Sequence, residues 1–140
     1  MITALQTYTG VAGRVLLGVY FLVPGISKAT NFQGTADYMQ NHGMIFVPFF
    51  LLLTIIVQLA GGAMLLAGYR VAITAFILAG LTLIINLVMH DFWNVETGIQ
   101  QAHETQNFVK NLAIMAGLMA LAGGQRPHAL SVDKNAATDS

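Results

Sequence analysis

Two long stretches of this chain contain no Asp, Glu, Lys or Arg. The first is the 32 residues between Asp37 and Arg70, and the second is the 20 residues between Arg70 and Asp91. A helix needs about 20 mostly apolar residues to cross the roughly 30 Å hydrocarbon core of a bilayer. Each stretch therefore predicts one membrane span, and we place the two spans near residues 45–68 and 71–90.

Two further apolar segments complete the set of spans. One lies near residues 107–124, and the other lies near residues 8–28 and contains Arg14. Because backbone polar groups inside a bilayer must bond to one another, spans of this length are helices. The sequence therefore predicts an all-α polytopic membrane protein, with a four-transmembrane-helix bundle over residues 1–124 and a polar C-terminal tail over residues 125–140.

The composition agrees with a membrane protein and excludes several classes of function. Hydrophobic residues make up 56% of the chain and charged residues 9%, whereas soluble domains have about 25% charged residues. Six basic residues balance six acidic ones, so no basic excess favours a nucleic-acid partner. The chain has no cysteine, which excludes disulfides, thiolate metal sites and CxxC redox motifs. Electrons in any redox reaction must therefore be carried by a bound group.

Basic residues near the ends of the apolar segments and beyond them predict the orientation of the chain. Four spans place both termini on one side of the membrane, and the basic residues are then Arg70, Arg126 and Lys134 on that side and Lys28 and Lys110 on the other. Cytoplasmic segments are enriched in Lys and Arg. We therefore expect both termini in the cytoplasm of a bacterium, with two outer loops, 29–44 and 91–106, facing the periplasm.

Small residues at helical spacing predict where the helices touch. The stripes are Gly10, Gly18 and Gly25 on the first span, Gln58, Gly61, Gly62, Leu65 and Gly68 on the second, and Lys110, Ala113, Gly117, Ala120 and Gly124 on the fourth. No hydrophobic force pulls helices together in lipid, so close backbone approach at small residues supplies the packing. We expect all three stripes to face the interior of the bundle.

Polar residues inside the spans admit two interpretations. Thr82, Asn86 and His90 follow one another at intervals of four on the third span, so His90 is expected to face the bundle interior. Such residues either bond helix to helix or line a cavity for a polar head group. Arg14 either extends its side chain to the membrane surface or turns inward to carbonyls, a lipid phosphate or a ligand.

The ends of three predicted spans place charged residues at one depth. Lys28 ends the first span, Asp91 follows the third and Lys110 begins the fourth. Pairs of opposite charge at a half-solvated boundary contribute about 1 kcal/mol or less. We expect the two lysines to pair with Asp91 and close the outer end of the bundle.

Three sequence blocks resemble the DoxX family of small membrane proteins. They are GRVLLG at 13–18 followed by GISK at 25–28, HDFW at 90–93, and FVKNLAIMAG at 108–117. The resemblance implies a four-helix protein of the bacterial inner membrane. The family is named for the small subunit of a thiosulfate:quinone oxidoreductase, which implies an accessory subunit of a quinone- or thiol-linked redox system.

A quinone head group at the outer interface is the first functional hypothesis. The candidate catalytic residues are His90 and Asp91, and the candidate ligand-binding residues are Arg14, Lys28, Asn86, Trp93, Lys110 and Asn111. Lys110 and Asn111 would donate hydrogen bonds to the quinone carbonyls. An imidazole titrates near neutral pH, so His90 would relay a proton while Asp91 orients its ring. Trp93 would either stack on the quinone or anchor the chain at the interface.

Two alternatives need no catalysis. The chain could be a membrane scaffold that docks a partner protein, other membrane subunits or copies of itself, or it could be a small transporter. The lipid bilayer is the expected partner in every case, and nucleic acid is not. We expect no covalently bound cofactor, and no metal site either, because the histidines and carboxylates lack the short spacings of metal ligands.

Overall fold

The computed structural model describes residues 1–124, and the predicted tail over residues 125–140 lies outside the described part. The described residues form five α-helices: α1 Ile2–Thr30, α2 Phe32–Asn41, α3 Val47–Ala67, α4 Val71–Met89 and α5 Ile99–Gly124. A short 3-10 turn, Phe92–Asn94, lies between α4 and α5, and no strand occurs within residues 1–124.

Four of these helices, α1, α3, α4 and α5, are long and apolar enough to cross a membrane. This confirms the predicted all-α, four-span class. Two of the helices begin earlier than the apolar segments do, α1 at Ile2 and α5 at Ile99. The first turns of α5 are rich in Gln, His and Glu, and such residues lower hydropathy without breaking a helix. Hydropathy alone therefore assigned this polar helical segment to a loop.

The expected loop over residues 29–44 is largely a helix, α2. Ala36 and Met39 are buried against the start of α3, where they join a cluster with Val47, Leu51 and Ile55. The opposite side of α2 is polar and exposed. An amphipathic helix of ten residues has too little apolar length to be detected as a span. We call this end of the bundle, which α2 covers, the α2 end.

Close backbone contact joins α1 to α3. A Cβ added at Gly62 would lie 2.8 Å from the carbonyl oxygen of Gly18, and one added at Gly25 would lie 3.2 Å from Cβ of Gln58. Five residues of the predicted α3 stripe, from Gln58 to Gly68, are buried. Gly10 is the exception on α1, since no heavy atom lies within 4 Å of its added Cβ. The interior position of the α3 stripe is therefore confirmed.

The predicted packing stripe on α5 is wrong. All its members, from Lys110 to Gly124, are exposed, and no heavy atom lies within 4 Å of a Cβ added at Gly117. The helix instead turns Asn111 and Leu118 inward. Asn111 bonds to Asn86 of α4, and leaving that amide in lipid would cost more than exposing glycine and alanine. The polar residue therefore decides which face of α5 is buried.

Candidate functional site

His90 and Glu104 meet at the α2 end of the bundle. His90 follows the last residue of α4, and Nδ1 of its ring lies 2.7 Å from Oε2 of Glu104 on α5. This is the only ion pair within residues 1–124 if the imidazole is protonated, and both side chains are mostly buried. A carboxylate at Nδ1 fixes the orientation of the ring. A histidine positioned in this way is the arrangement that general acid–base chemistry requires.

Asp91 does not orient the His90 ring, so that expectation is wrong. Its Oδ2 accepts a hydrogen bond of 2.8 Å from the Asn94 side chain. The helix ends before Asp91, which belongs to the following turn, whereas Glu104 returns on α5 to the level of His90. Glu104 takes the role that the sequence had assigned to Asp91.

The expected ion-pair network of Lys28, Asp91 and Lys110 is also wrong. No carboxylate lies within 4.0 Å of either lysine in the described part of the chain. Lys110 is exposed on the outer surface of α5, one position away from the inward-facing Asn111. Neighbouring positions on a helix point about 100° apart, so burial of Asn111 turns Lys110 away from the bundle.

Two asparagines hold α4 and α5 together. The Asn111 amide donates to Oδ1 of Asn86 at 3.2 Å, and the Asn86 amide donates to the carbonyl of Phe108 at 3.1 Å. The Tyr20 hydroxyl of α1 donates to Oδ1 of Asn111 at 3.3 Å. Both asparagines are buried. These amides bond helix to helix, which is the first of the two interpretations that the sequence allowed.

Trp93 belongs to an aromatic cluster at the 3-10 turn between α4 and α5. Its ring meets Phe92 and Phe108 edge to face, with ring centroids 5.3 and 5.8 Å away. Trp93 is 51% exposed. An exposed tryptophan at the end of a span is typical of an interfacial anchor.

Arg14 lies at the opposite end of the bundle from His90. Its side chain is 3% exposed and packs against Gly68, where α3 ends in a left-handed turn with φ of 70°. Nε and Nη1 have no hydrogen-bond partner in the described part of the chain. The guanidinium therefore turns inward, where the C-terminal end of the α3 dipole is favourable for a cation.

A cavity of about 480 Å³ lies at the α2 end, between α1, α2, α3 and α4. Most of its wall is apolar, and the aliphatic part, which includes Leu81, Ile85 and Val88, comes from α3 and α4. Its polar wall residues are Ser27, Lys28, Thr35, Tyr38, Thr54 and His90. Its exposed lining residues are Ser27, Tyr38, Phe50, Leu53 and Ile84, and the three apolar ones belong to α3 and α4. The cavity is therefore open sideways, between α3 and α4, to the surface that faces lipid.

Tyr38 is a cavity residue that sequence reasoning missed. It lies on α2, the helix that hydropathy did not detect, so no signal pointed to it. Burial raises the pKa of Tyr38, and the carboxylates of Glu104 and Asp91 raise it further. The hydroxyl therefore stays protonated and can donate a hydrogen bond. Its ring packs against His42, with centroids 4.4 Å apart.

The structure thus divides the eight predicted site residues among several places. Lys28 and His90 line the cavity, while Asn86 and Asn111 bond to each other. The remaining four, which lie outside the cavity, are Arg14, Asp91, Trp93 and Lys110. Within residues 1–124, no three His, Cys, Asp or Glu side chains converge as metal ligands would.

Comparison with known proteins gives matches over most of the chain. The family model DoxX matches residues 10–91. The chain is 35% identical to the Inner membrane protein YqjF of Escherichia coli (strain K12) over 124 residues, which is 86% of each protein. It is 25% identical to the Inner membrane protein YphA of the same organism over 121 residues, covering 86% of this chain and 85% of that protein. No solved structure matches. A family match over more than half of the chain, together with a relative of this similarity, shows that this four-span protein belongs to the DoxX family.

Proposed function

We propose that this protein is an accessory subunit of a redox system in the bacterial inner membrane, and that it binds a quinone in the cavity at the α2 end. One observation supports this most: an aliphatic cavity that opens toward lipid ends at the His90–Glu104 pair. Both named relatives are inner membrane proteins, which supports the proposed location.

The cavity suits a ring that arrives from the bilayer. Its volume of about 480 Å³ falls within the roughly 300–1,000 Å³ typical of small-molecule sites. A quinone ring would contact the aliphatic wall, while its carbonyls accept hydrogen bonds at the polar end. Tyr38 and His90 supply the O–H and N–H donors there. The isoprenoid tail would leave through the side opening between α3 and α4.

Reduction of a quinone to a quinol takes up two electrons and two protons. The His90 ring, which Glu104 orients, can give one of these protons to a quinone oxygen, and the other proton comes from water. Glu104 is 14% exposed, so water can return a proton to the pair. The chain has no thiol of its own, and the electrons come from a partner redox protein. With both termini in the cytoplasm, the α2 end faces the periplasm.

A matched pair of substitutions on α4 tests quinone binding. Ile84 and Ile77 are both exposed and lie seven positions apart on one face of α4, but of the two only Ile84 lines the cavity. We expect Ile84→Trp to block the side opening and weaken binding of a short-chain ubiquinone to protein in lipid nanodiscs at least tenfold. Ile77→Trp should leave binding unchanged. Equal binding by both variants would contradict a quinone site in this cavity.

A second substitution separates binding from proton transfer. His90→Gln keeps a hydrogen-bond donor but cannot titrate near neutral pH. We expect the variant to bind quinone within a few-fold of the unmodified protein and to lose quinone-linked activity in the assembled system. Full activity would exclude His90 as the proton donor.

The surface of α5 favours a scaffold as the second candidate function. Among the four spans α5 is the least buried, with only Asn111 and Leu118 in the interior. Its exposed stripe combines small residues with Lys110. Small residues allow close approach of another membrane helix, whether from a different subunit or from a second copy. Cysteine cross-linking from Gly117→Cys, with Leu83→Cys on α4 as control, would detect such a neighbour.

A further inference from the structure

The positive charge of Lys28 has no counter-ion in the described part of the chain. Three carboxylates have partners of their own: Glu104 bonds to His90, Asp91 to Asn94 and Asp37 to Gln33. None of the acidic side chains within residues 1–124 lies within 4.0 Å of Lys28. Lys28 is half-buried and lines the cavity. An unpaired charge at the edge of the hydrocarbon region is costly, so the site favours an anion beside Lys28.

The surroundings of Lys28 specify the head group more closely. Tyr38 lines the same cavity, its side chain is 44% exposed, and its hydroxyl makes no hydrogen bond to another described residue. An ammonium and a hydroxyl with no partner among residues 1–124 are donors that suit a carboxylate or a phosphate. A neutral quinone carbonyl needs hydrogen-bond donors but not a full positive charge, so quinone binding leaves the charge of Lys28 unused.

The rest of the cavity specifies the other end of the ligand. Its aliphatic wall includes Leu81, Ile85 and Val88 of α4, and it opens to lipid beside Leu53 and Ile84. Such a wall suits one alkyl chain, whose far end can remain in the bilayer. One cation beside an apolar space that opens to lipid favours one acidic head on an alkyl chain.

We propose that this cavity binds a single-chain anionic amphiphile, with its acidic head paired to Lys28 and hydrogen-bonded to Tyr38. A free fatty acid and a lysophosphatidic acid share this chemistry. The inference does not rest on the proposed quinone function, and it adds a consequence: the anion occupies the space of the quinone ring and competes with it.

Binding of radiolabelled oleate to purified protein in phosphatidylcholine nanodiscs tests the proposal. Oleyl alcohol has the same chain without the charge and is the matched ligand control. We expect the unmodified protein to bind oleate at least tenfold more tightly than oleyl alcohol. Lysophosphatidic acid in place of oleate shows which head group the site prefers. Preference for either acid over the alcohol supports the proposal, and equal binding of acids and alcohol overturns it.

Two lysine variants test whether Lys28 causes the preference for oleate over oleyl alcohol. Lys28→Gln should abolish the preference for the acid, whereas Lys110→Gln, on the outer surface of α5, should keep it. Circular dichroism and gel filtration identify any variant that fails to fold, and the comparison of oleate with oleyl alcohol on the unmodified protein stands without variants. Binding of quinone without oleate would overturn this inference alone. Binding of oleate without quinone would overturn the proposed function alone.

Discussion

Replacement of Gly62 by alanine should destabilise the contact between α1 and α3. The added Cβ would lie 2.8 Å from the carbonyl oxygen of Gly18, 2.8 Å from Cγ of Leu22 and 3.1 Å from the backbone nitrogen of Leu22. Two of these three neighbours are backbone atoms, which no change of rotamer can move. The two helices must therefore separate.

The size of the effect follows from the distances. Ordinary contacts of a Cβ begin at 3.4 Å, so the helices must move apart by several tenths of an ångström along their closest line. Overpacking of this kind costs about 1–3 kcal/mol. Alanine also favours a helix over glycine by up to about 1 kcal/mol, which offsets part of the cost. Gly80→Ala measures that gain alone, because no heavy atom lies within 4 Å of its added Cβ.

Reversible unfolding in mixed micelles, with increasing mole fraction of sodium dodecyl sulfate, measures the free energy of unfolding of both variants. Far-ultraviolet circular dichroism reports loss of helix, and fluorescence of the single tryptophan, Trp93, reports loss of tertiary packing. We expect Gly62→Ala to unfold at a lower detergent fraction than Gly80→Ala, by about 1–3 kcal/mol. Equal stability of the two variants would refute the close approach of α1 and α3.

Three further predictions concern other parts of the molecule. Asn111→Leu should lower the free energy of unfolding by about 0.6–1.7 kcal/mol, the range for hydrogen bonds between membrane helices, in the same micelle assay; Asn107→Leu, whose side chain makes no hydrogen bond to a described residue, should have a smaller effect. Burial, followed by the carboxylates of Glu104 and Asp91, raises the pKa of Tyr38 above 10.0, so the stability linked to its neutral hydroxyl is present below pH 10.0 and is lost as the pH rises. Between pH 9 and 11 the melting temperature should therefore fall less for Tyr38→Phe than for the unmodified protein. A reporter that is active only in the cytoplasm should be active when it is fused to the C terminus. Activity of a reporter that works only in the periplasm would contradict the proposed orientation.

Much of the fold could be predicted from the distribution of charge. The two charge-free stretches between Asp37, Arg70 and Asp91 contain α3 and α4, because a bilayer admits few charges in a span. Hydropathy fails where a helix is short and amphipathic. In α2 only Ala36 and Met39 are buried, and their burial depends on the start of α3, which a local average cannot include.

The candidate site could be predicted only in part, for related reasons. Placing His90 at the end of a span required only the apolar length of α4, and its neighbours at intervals of four placed it toward the interior. Its partner Glu104 lies in a polar segment that hydropathy assigned to a loop, although α5 begins at Ile99. The cavity is formed by four helices, including α2, so no single segment of sequence contains its signal.

A photoreactive azidoquinone tests the central claim most directly. Illumination of the labelled protein in nanodiscs, followed by mass spectrometry of its peptides, locates the ring on the chain. We expect label on α2 and on the last turns of α4, around Tyr38, Val88 and Met89, all of which line the cavity, and we expect unlabelled ubiquinone to remove it. Label confined to exposed residues of α5, such as Val109 and Met119, or label that unlabelled ubiquinone does not reduce, would contradict a quinone site in the cavity.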